Sequence, residues 1–208
     1  MSATVHPGVA MLGGLAKWIC GADVQWRYRP LESRPRVYFA NHTSHLDALV
    51  LLAALPASIR ARTHPVAAQE YWQNSRVKSY LASRVFGSVL IPRSNGAPFA
   101  GRAILSVLLR QLEGGRSLIL FPEGTRGAGE EIADFRSGLF QLCREHAGLE
   151  AVPVYLENLH RVLPKGRFLP LPSRSRVVFG SPLRLEPGET RPDFLQRARQ
   201  RLKELRSQ

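Results

Sequence analysis

The stretch Val37-Tyr38-Phe39-Ala40-Asn41-His42-Thr43-Ser44-His45-Leu46-Asp47 decides how this chain is read. Its first four residues are apolar or aromatic without a break, which suits a short buried strand. The polar run that follows places His42 and Asp47 five positions apart, where the strand should give way to a helix. A turn there can fold back and bring a carboxylate to an imidazole nitrogen, leaving the other nitrogen to take a proton from a hydroxyl. Helix capping explains the same letters, because Ser44 followed by Asp47 fits an N-terminal capping pattern and the helix dipole favours an aspartate there. Both readings stay open on this stretch alone. His45 is a second candidate base, expected to point away from His42.

Working outward, strand-like and helix-like segments alternate. The helix after Ser44 reaches about Leu55, Pro65 to Ala68 reads as a strand, and Glu70 to Arg84 reads as a helix. Ser88 to Ile91 forms a short strand ended by Pro92. Phe99 to Leu112 carries Ile104, Val107, Leu108 and Leu112 at helical spacing and stops at Gly114-Gly115. Leu118 to Phe121 is a strand, Asp134 to His146 a helix closed by Gly148, and Val152 to Leu156 and Arg176 to Phe179 are two further strands. A last helix follows Thr190-Arg191-Pro192-Asp193, with Leu195, Ala198, Leu202 and Leu205 on one face. Thr190 with Asp193 resembles a capping box. The alternation predicts an α/β domain built on a mostly parallel sheet flanked by helices.

A second polar cluster also sits at a strand end. In Phe121-Pro122-Glu123-Gly124-Thr125-Arg126, Gly124 permits a sharp turn whose backbone amides can cradle an anion. Arg126 adds a cationic fork suited to phosphate, and Glu123 could orient an arginine or an acceptor hydroxyl. The plainer reading is a Pro-Glu-Gly turn with a solvated arginine. Arg93, after Ile91-Pro92, is another arginine at a strand end and gains weight only from its company.

The 208 residues suffice for one domain with a proper core. Hydrophobic content of 44% is ordinary, but a net charge of +13 calls for an anionic partner: nucleic acid, acidic membrane or phosphorylated substrate. The basic residues are spread along the chain, without the interleaved aromatics, zinc-finger spacing or RNP-like motif of a nucleic-acid binder, so no nucleic-acid partner is expected. Cys20 and Cys143 stand far apart and read as buried residues in a reducing compartment. Gly8 to Cys20 is interrupted by Lys17 and falls short of the ~20 residues of a spanning helix; the run Ala48 to Leu55 is shorter still. No transmembrane helix or signal peptide is expected. Residues 8–20 read as a short helix, followed by Trp26 and Tyr28 interleaved with Arg27 and Arg29. That mixture suits a membrane interface, although a helix packed on the core would serve the same letters. Residues 1–30 are therefore expected as an interfacial helix and linker, and residues 31–208 as the main domain with its C-terminal amphipathic helix.

Taken together, these segments carry a resemblance. Asn41-His42-x-x-x-x-Asp47 resembles the His-x4-Asp motif of the glycerolipid acyltransferases, which acylate glycerol phosphate and lysophospholipids. Gly87 through Ile91-Pro92-Arg93 is similar to the second motif of that family, whose arginine binds phosphate. Phe121 to Arg126 matches its third motif in full, Val152-Pro153-Val154 resembles the fourth, and order and spacing agree over roughly residues 36–160. Phe135-Arg136-Ser137-Gly138 resembles the family's Phe-Lys-x-Gly segment with arginine for lysine, a resemblance that implies a part in positioning the third motif.

The resemblance implies a glycerol-3-phosphate acyltransferase-like fold and a mechanism. His42 would act as general base on an acceptor hydroxyl, held by Asp47, and the hydroxyl would attack a thioester of coenzyme A or acyl carrier protein. Arg93 and Arg126 would grip the acceptor's phosphate, with Glu123, Gly124 and Thr125 shaping the pocket. No metal or bound cofactor would be needed. The implied acceptor is 1-acylglycerol 3-phosphate, and the implied location is the acidic cytoplasmic face of the cell membrane, held peripherally. The segment Leu156 to Gly166 is more polar and basic than a simple lysophosphatidate enzyme suggests, which leaves another lyso-lipid acceptor open. A non-catalytic basic module that binds acidic membranes is the alternative from a different class.

Overall fold

The computed structural model describes residues 23–28, 34–44, 46–72, 75–76, 80, 87–92, 98–127, 131–159 and 175–206. Seven strands make one sheet: β1 (Asp23–Trp26), β2 (Arg36–Ala40), β3 (Thr63–Ala68), β4 (Val89–Ile91), β5 (Ser117–Leu120), β6 (Glu150–Glu157) and β7 (Arg176–Phe179). Their spatial order is β1-β7-β6-β2-β5-β3-β4. The five strands from β6 to β4 are mutually parallel; β7 runs antiparallel to β6, and β1 runs parallel to β7. This confirms the α/β class with a mostly parallel sheet.

Every residue of β2 is buried, as expected for a central strand covered on both faces. The pleat sends its side chains alternately to two cores. Val37 and Phe39 join one cluster with Leu118, Ala151 and Val178; it is closed by α4 (Pro98–Glu113), α5 (Gly138–Glu145) and α6 (Arg191–Glu204). Tyr38 and Ala40 join the other with Ile119, Val152, Val154 and Val177, covered by α1 (Asp47–Ala54) and the short α2 (Ala57–Arg60). A one-residue slip of β2 would exchange the two sets, so its register is strongly specified. The short helix α3 (Gln69–Trp72) follows β3 directly.

Some expected boundaries shift. Helix α1 starts at Asp47 rather than Ser44, and α5 starts at Gly138 rather than Asp134. The buried stripe of α6 is Phe194, Ala198 and Leu202, with Leu195 only half-buried, so the seam follows an i, i+4 spacing from Phe194. Thr190 does cap that helix, its hydroxyl oxygen accepting from the Asp193 amide at 3.4 Å.

The larger change is at the N-terminal side. Asp23 to Trp26, expected within a linker to an interfacial helix, is an edge strand paired along its length with β7. Trp26 stacks on Phe179 with ring centroids 3.8 Å apart and planes 2° from parallel, and Tyr28 meets Trp26 edge-on at 5.7 Å. Here the aromatics fill the sheet's own flank. The expected helix over 8–20 lies outside the described residues. Among the described residues, no helix is long and apolar enough to cross a membrane.

Candidate active site

Strands β2 and β5 are adjacent and parallel, so the loops leaving their carboxyl ends meet. This is where α/β sheets usually offer a binding crevice. His42 lies two residues beyond β2, and Asp47 opens α1. His42 Nδ1 is 2.8 Å from Asp47 Oδ2, and the same oxygen accepts the Thr43 amide at 2.6 Å and the Ser44 amide at 2.8 Å. The loop thus wraps around one carboxylate oxygen, which holds three donors. With Oδ2 as acceptor, the network assigns the proton of His42 to Nδ1 and leaves the Nε2 lone pair available. Asp47 is fully buried, whereas the His42 side chain is 24% exposed. Hidden orienter and accessible base are the arrangement that proton abstraction needs.

The His42 backbone is held as firmly as its ring. Its amide donates to Glu123 Oε1 at 2.9 Å, and its carbonyl accepts from the Gly127 amide at 2.8 Å. Its imidazole lies against the Phe121 ring, centroids 4.2 Å apart and planes 19° from parallel. The turn after β5 therefore grips both sides of the histidine. One step earlier, the Asn41 side chain brackets Leu156, donating from Nδ2 to its carbonyl and accepting its amide at Oδ1, each at 2.8 Å. That pair of hydrogen bonds ties the end of β2 to β6.

Glu123 lies buried in this turn. It is only 5% exposed, and its second oxygen accepts the Ala133 amide at 3.0 Å. Each carboxylate oxygen accepts a backbone amide, so Glu123 braces the His42 loop against residues 131–137. Gly124 does adopt the left-handed conformation a sharp turn requires, with φ +73°. Gly124, Thr125 and Arg126 are exposed at the tip of this turn. Arg136 comes back to it: its amide donates to the Pro122 carbonyl at 2.8 Å. Phe135 beside it meets Phe39 of β2 edge-on at 6.0 Å. Arg93 and His45 lie outside the described residues. Among the described residues, no group of three His, Cys, Asp or Glu side chains is placed to hold a metal ion.

Of the residues sequence reasoning singled out, the structure brings His42, Asp47, Glu123, Gly124, Thr125 and Arg126 into one continuous loop system. Asn41 and Phe121 lie within the motifs, but nothing in the sequence assigns them a role. Their signal was position alone, each one residue past its strand.

A family model described as Acyltransferase matches residues 25–157. The chain belongs to this acyltransferase family. Among curated relatives, a 1-acyl-sn-glycerol-3-phosphate acyltransferase of Limnanthes alba is 28% identical over 175 residues, covering 83% of this chain and 59% of its own length. A lyso-ornithine lipid O-acyltransferase of Pseudomonas aeruginosa is 31% identical over 176 residues, covering 71% of this chain and 64% of its own. The chain thus spans less than two thirds of the length of either relative. The crystal structure of the 1-acyl-sn-glycerophosphate (LPA) acyltransferase PlsC from Thermotoga maritima superposes with a TM-score of 0.71 at 20% identity, covering 96% of this chain and 77% of that one. That likeness places the acyltransferase fold.

Proposed function

We propose that this acyltransferase moves a fatty acyl group from a coenzyme A or acyl carrier protein thioester to the free hydroxyl of 1-acylglycerol 3-phosphate, giving phosphatidate. The observation that carries the reading is the 2.8 Å contact of His42 Nδ1 with buried Asp47, which leaves Nε2 of a partly exposed side chain outside that pairing. Nε2 takes the proton of the acceptor hydroxyl as its oxygen attacks the thioester carbonyl. The tetrahedral intermediate then collapses, the C–S bond breaks, and the thiolate takes that proton from the imidazolium. The acyl group passes straight from thioester to acceptor, without a covalent acyl-enzyme. Asp47 stabilises the imidazolium that forms in between. The turn around Gly124 and Arg126 receives the acceptor's phosphate, with Arg93 as a further cation. No metal or bound cofactor enters the reaction. The net charge of +13 favours an anionic lipid surface, and the protein works peripherally at the cytoplasmic face of the membrane.

A second acceptor is worth testing because the Pseudomonas relative is named for a lyso-ornithine lipid. Such an acceptor offers the same hydroxyl chemistry with an amino-acid headgroup. A panel of lyso-lipids, each assayed with an acyl-CoA and an acyl carrier protein thioester, separates the cases. Transfer to 1-acylglycerol 3-phosphate above all others is expected. Transfer to a lyso-ornithine lipid alone would move the acceptor assignment, and no transfer from any pairing would favour a membrane-binding module without catalysis.

A further inference from the structure

We propose that Arg136 is a specificity-determining cation for the acceptor's headgroup, working beside Arg126. The proposal rests on the reading of this site as one that takes a phosphate-bearing acceptor. Arg136 is fixed to the turn at its backbone, through the amide bond to the Pro122 carbonyl. Its side chain then runs directly over Gly124. A Cβ on Gly124 would stand 2.5 Å from Arg136 Nε, 2.7 Å from Cδ and 2.9 Å from Cζ, so the space a side chain would fill is occupied by the guanidinium and its stem. Gly124 therefore has two duties, a left-handed turn and an open bed for an arginine.

The second observation is what this guanidinium lacks. Arg36, Arg176, Arg184 and Arg197 are held by carboxylates at 2.6–2.9 Å, and Arg199 is bound by Asp134 and the Ile132 carbonyl. Among the described residues, Arg136 has no such partner, although it is exposed beside the turn. An arginine built into place but left with its donors open is suited to an anion arriving from solvent. Its planar fork can bind two phosphate oxygens at once. The turn that presents it is the one whose Glu123 holds the His42 amide, so the turn proposed to grip a phosphate is joined directly to the loop that carries the base.

The test is calorimetric titration of the full chain with glycerol 3-phosphate, alongside acyl-transfer kinetics. Arg136→Gln should weaken glycerol 3-phosphate binding about tenfold, equivalent to about 1.4 kcal/mol. It should raise the acceptor KM similarly, while kcat and the thioester KM stay within about twofold of wild type. Arg136→Lys keeps the charge and should recover part of the affinity. Gly124→Ala, which displaces the stem, should lose binding as Arg136→Gln does. If Arg136→Gln binds as tightly as wild type while Arg126→Ala does not, the role of Arg136 is refuted and the phosphate-acceptor reading survives. If wild type binds no glycerol 3-phosphate yet acylates a phosphate-free acceptor, both fail. Equal loss toward acceptor and thioester, with a lowered melting temperature in both Arg136 variants, would make Arg136 a packing residue and overturn the proposal.

Discussion

At Asp47 the capping and catalytic readings of the sequence turn out not to be rivals. One oxygen, Oδ2, collects two loop amides and the imidazole together, so the carboxylate that shapes the turn is the one that aims the histidine. Glu123 repeats the device one loop away, spending its two oxygens on the amides of His42 and Ala133. That geometry makes Glu123 a brace between two loops. Glu123→Gln replaces one of the two acceptor oxygens with an NH2 donor facing a backbone N–H, leaving a buried N–H unsatisfied at a cost of about 1–3 kcal/mol. The expected result is a lower urea midpoint and a reduced kcat, with the acceptor KM little changed. A rise in acceptor KM at unchanged stability would return Glu123 to the pocket.

Among the elements, the central ones were legible because burial writes itself into composition. The unbroken apolar run Val37 to Ala40 suits a strand covered on both faces, and α4 is marked by its spacing and by the glycines that end it. Edges were harder to read. Asp23 to Trp26 carries a charge, an amide and an aromatic, with nothing in its own letters to name β7 as its partner across 153 positions. Its aromatics look interfacial until Phe179 is set beside Trp26. The start of α1 differs from the sequence pattern for a related reason: Ser44 resembles a cap, but its amide is already donated back to Asp47 and the loop stays open until that residue. The His42–Asp47 pair and the turn of residues 121–126 are readable as motifs. The roles of Asn41, Phe121 and Arg136 are not, because each depends on a contact between loops distant in sequence.

For the whole molecule, buried and paired charges couple stability to pH. His64 lies on β3 with Nδ1 2.8 Å from the Gly87 carbonyl. Burial holds its pKa below the ordinary histidine value; the Gly87 hydrogen bond opposes this and nearby Arg116 adds to it. The unfolded chain therefore binds the proton more readily, and stability falls as pH drops from ~6.5 through the folded-state pKa. Glu150 and Glu189 act with the same sign at lower pH. Burial pushes Glu150 up, but hydrogen bonds from Arg184 and Arg36 more than reverse it. The Arg197 hydrogen bond lowers Glu189 against burial. Urea midpoints measured from pH 8 to pH 5 should decline in wild type and decline less in His64→Gln. Parallel slopes for the two proteins would remove His64 from the account.

The central claim is that His42, aimed by Asp47, takes the acceptor's proton. Its most direct test is the turnover of purified His42→Ala with 1-acylglycerol 3-phosphate and an acyl-CoA. General-base catalysis of this kind contributes ~10²- to 10⁴-fold, so kcat should fall by that factor while the melting temperature holds. A His42→Ala protein that turns over at the wild-type rate would contradict the mechanism.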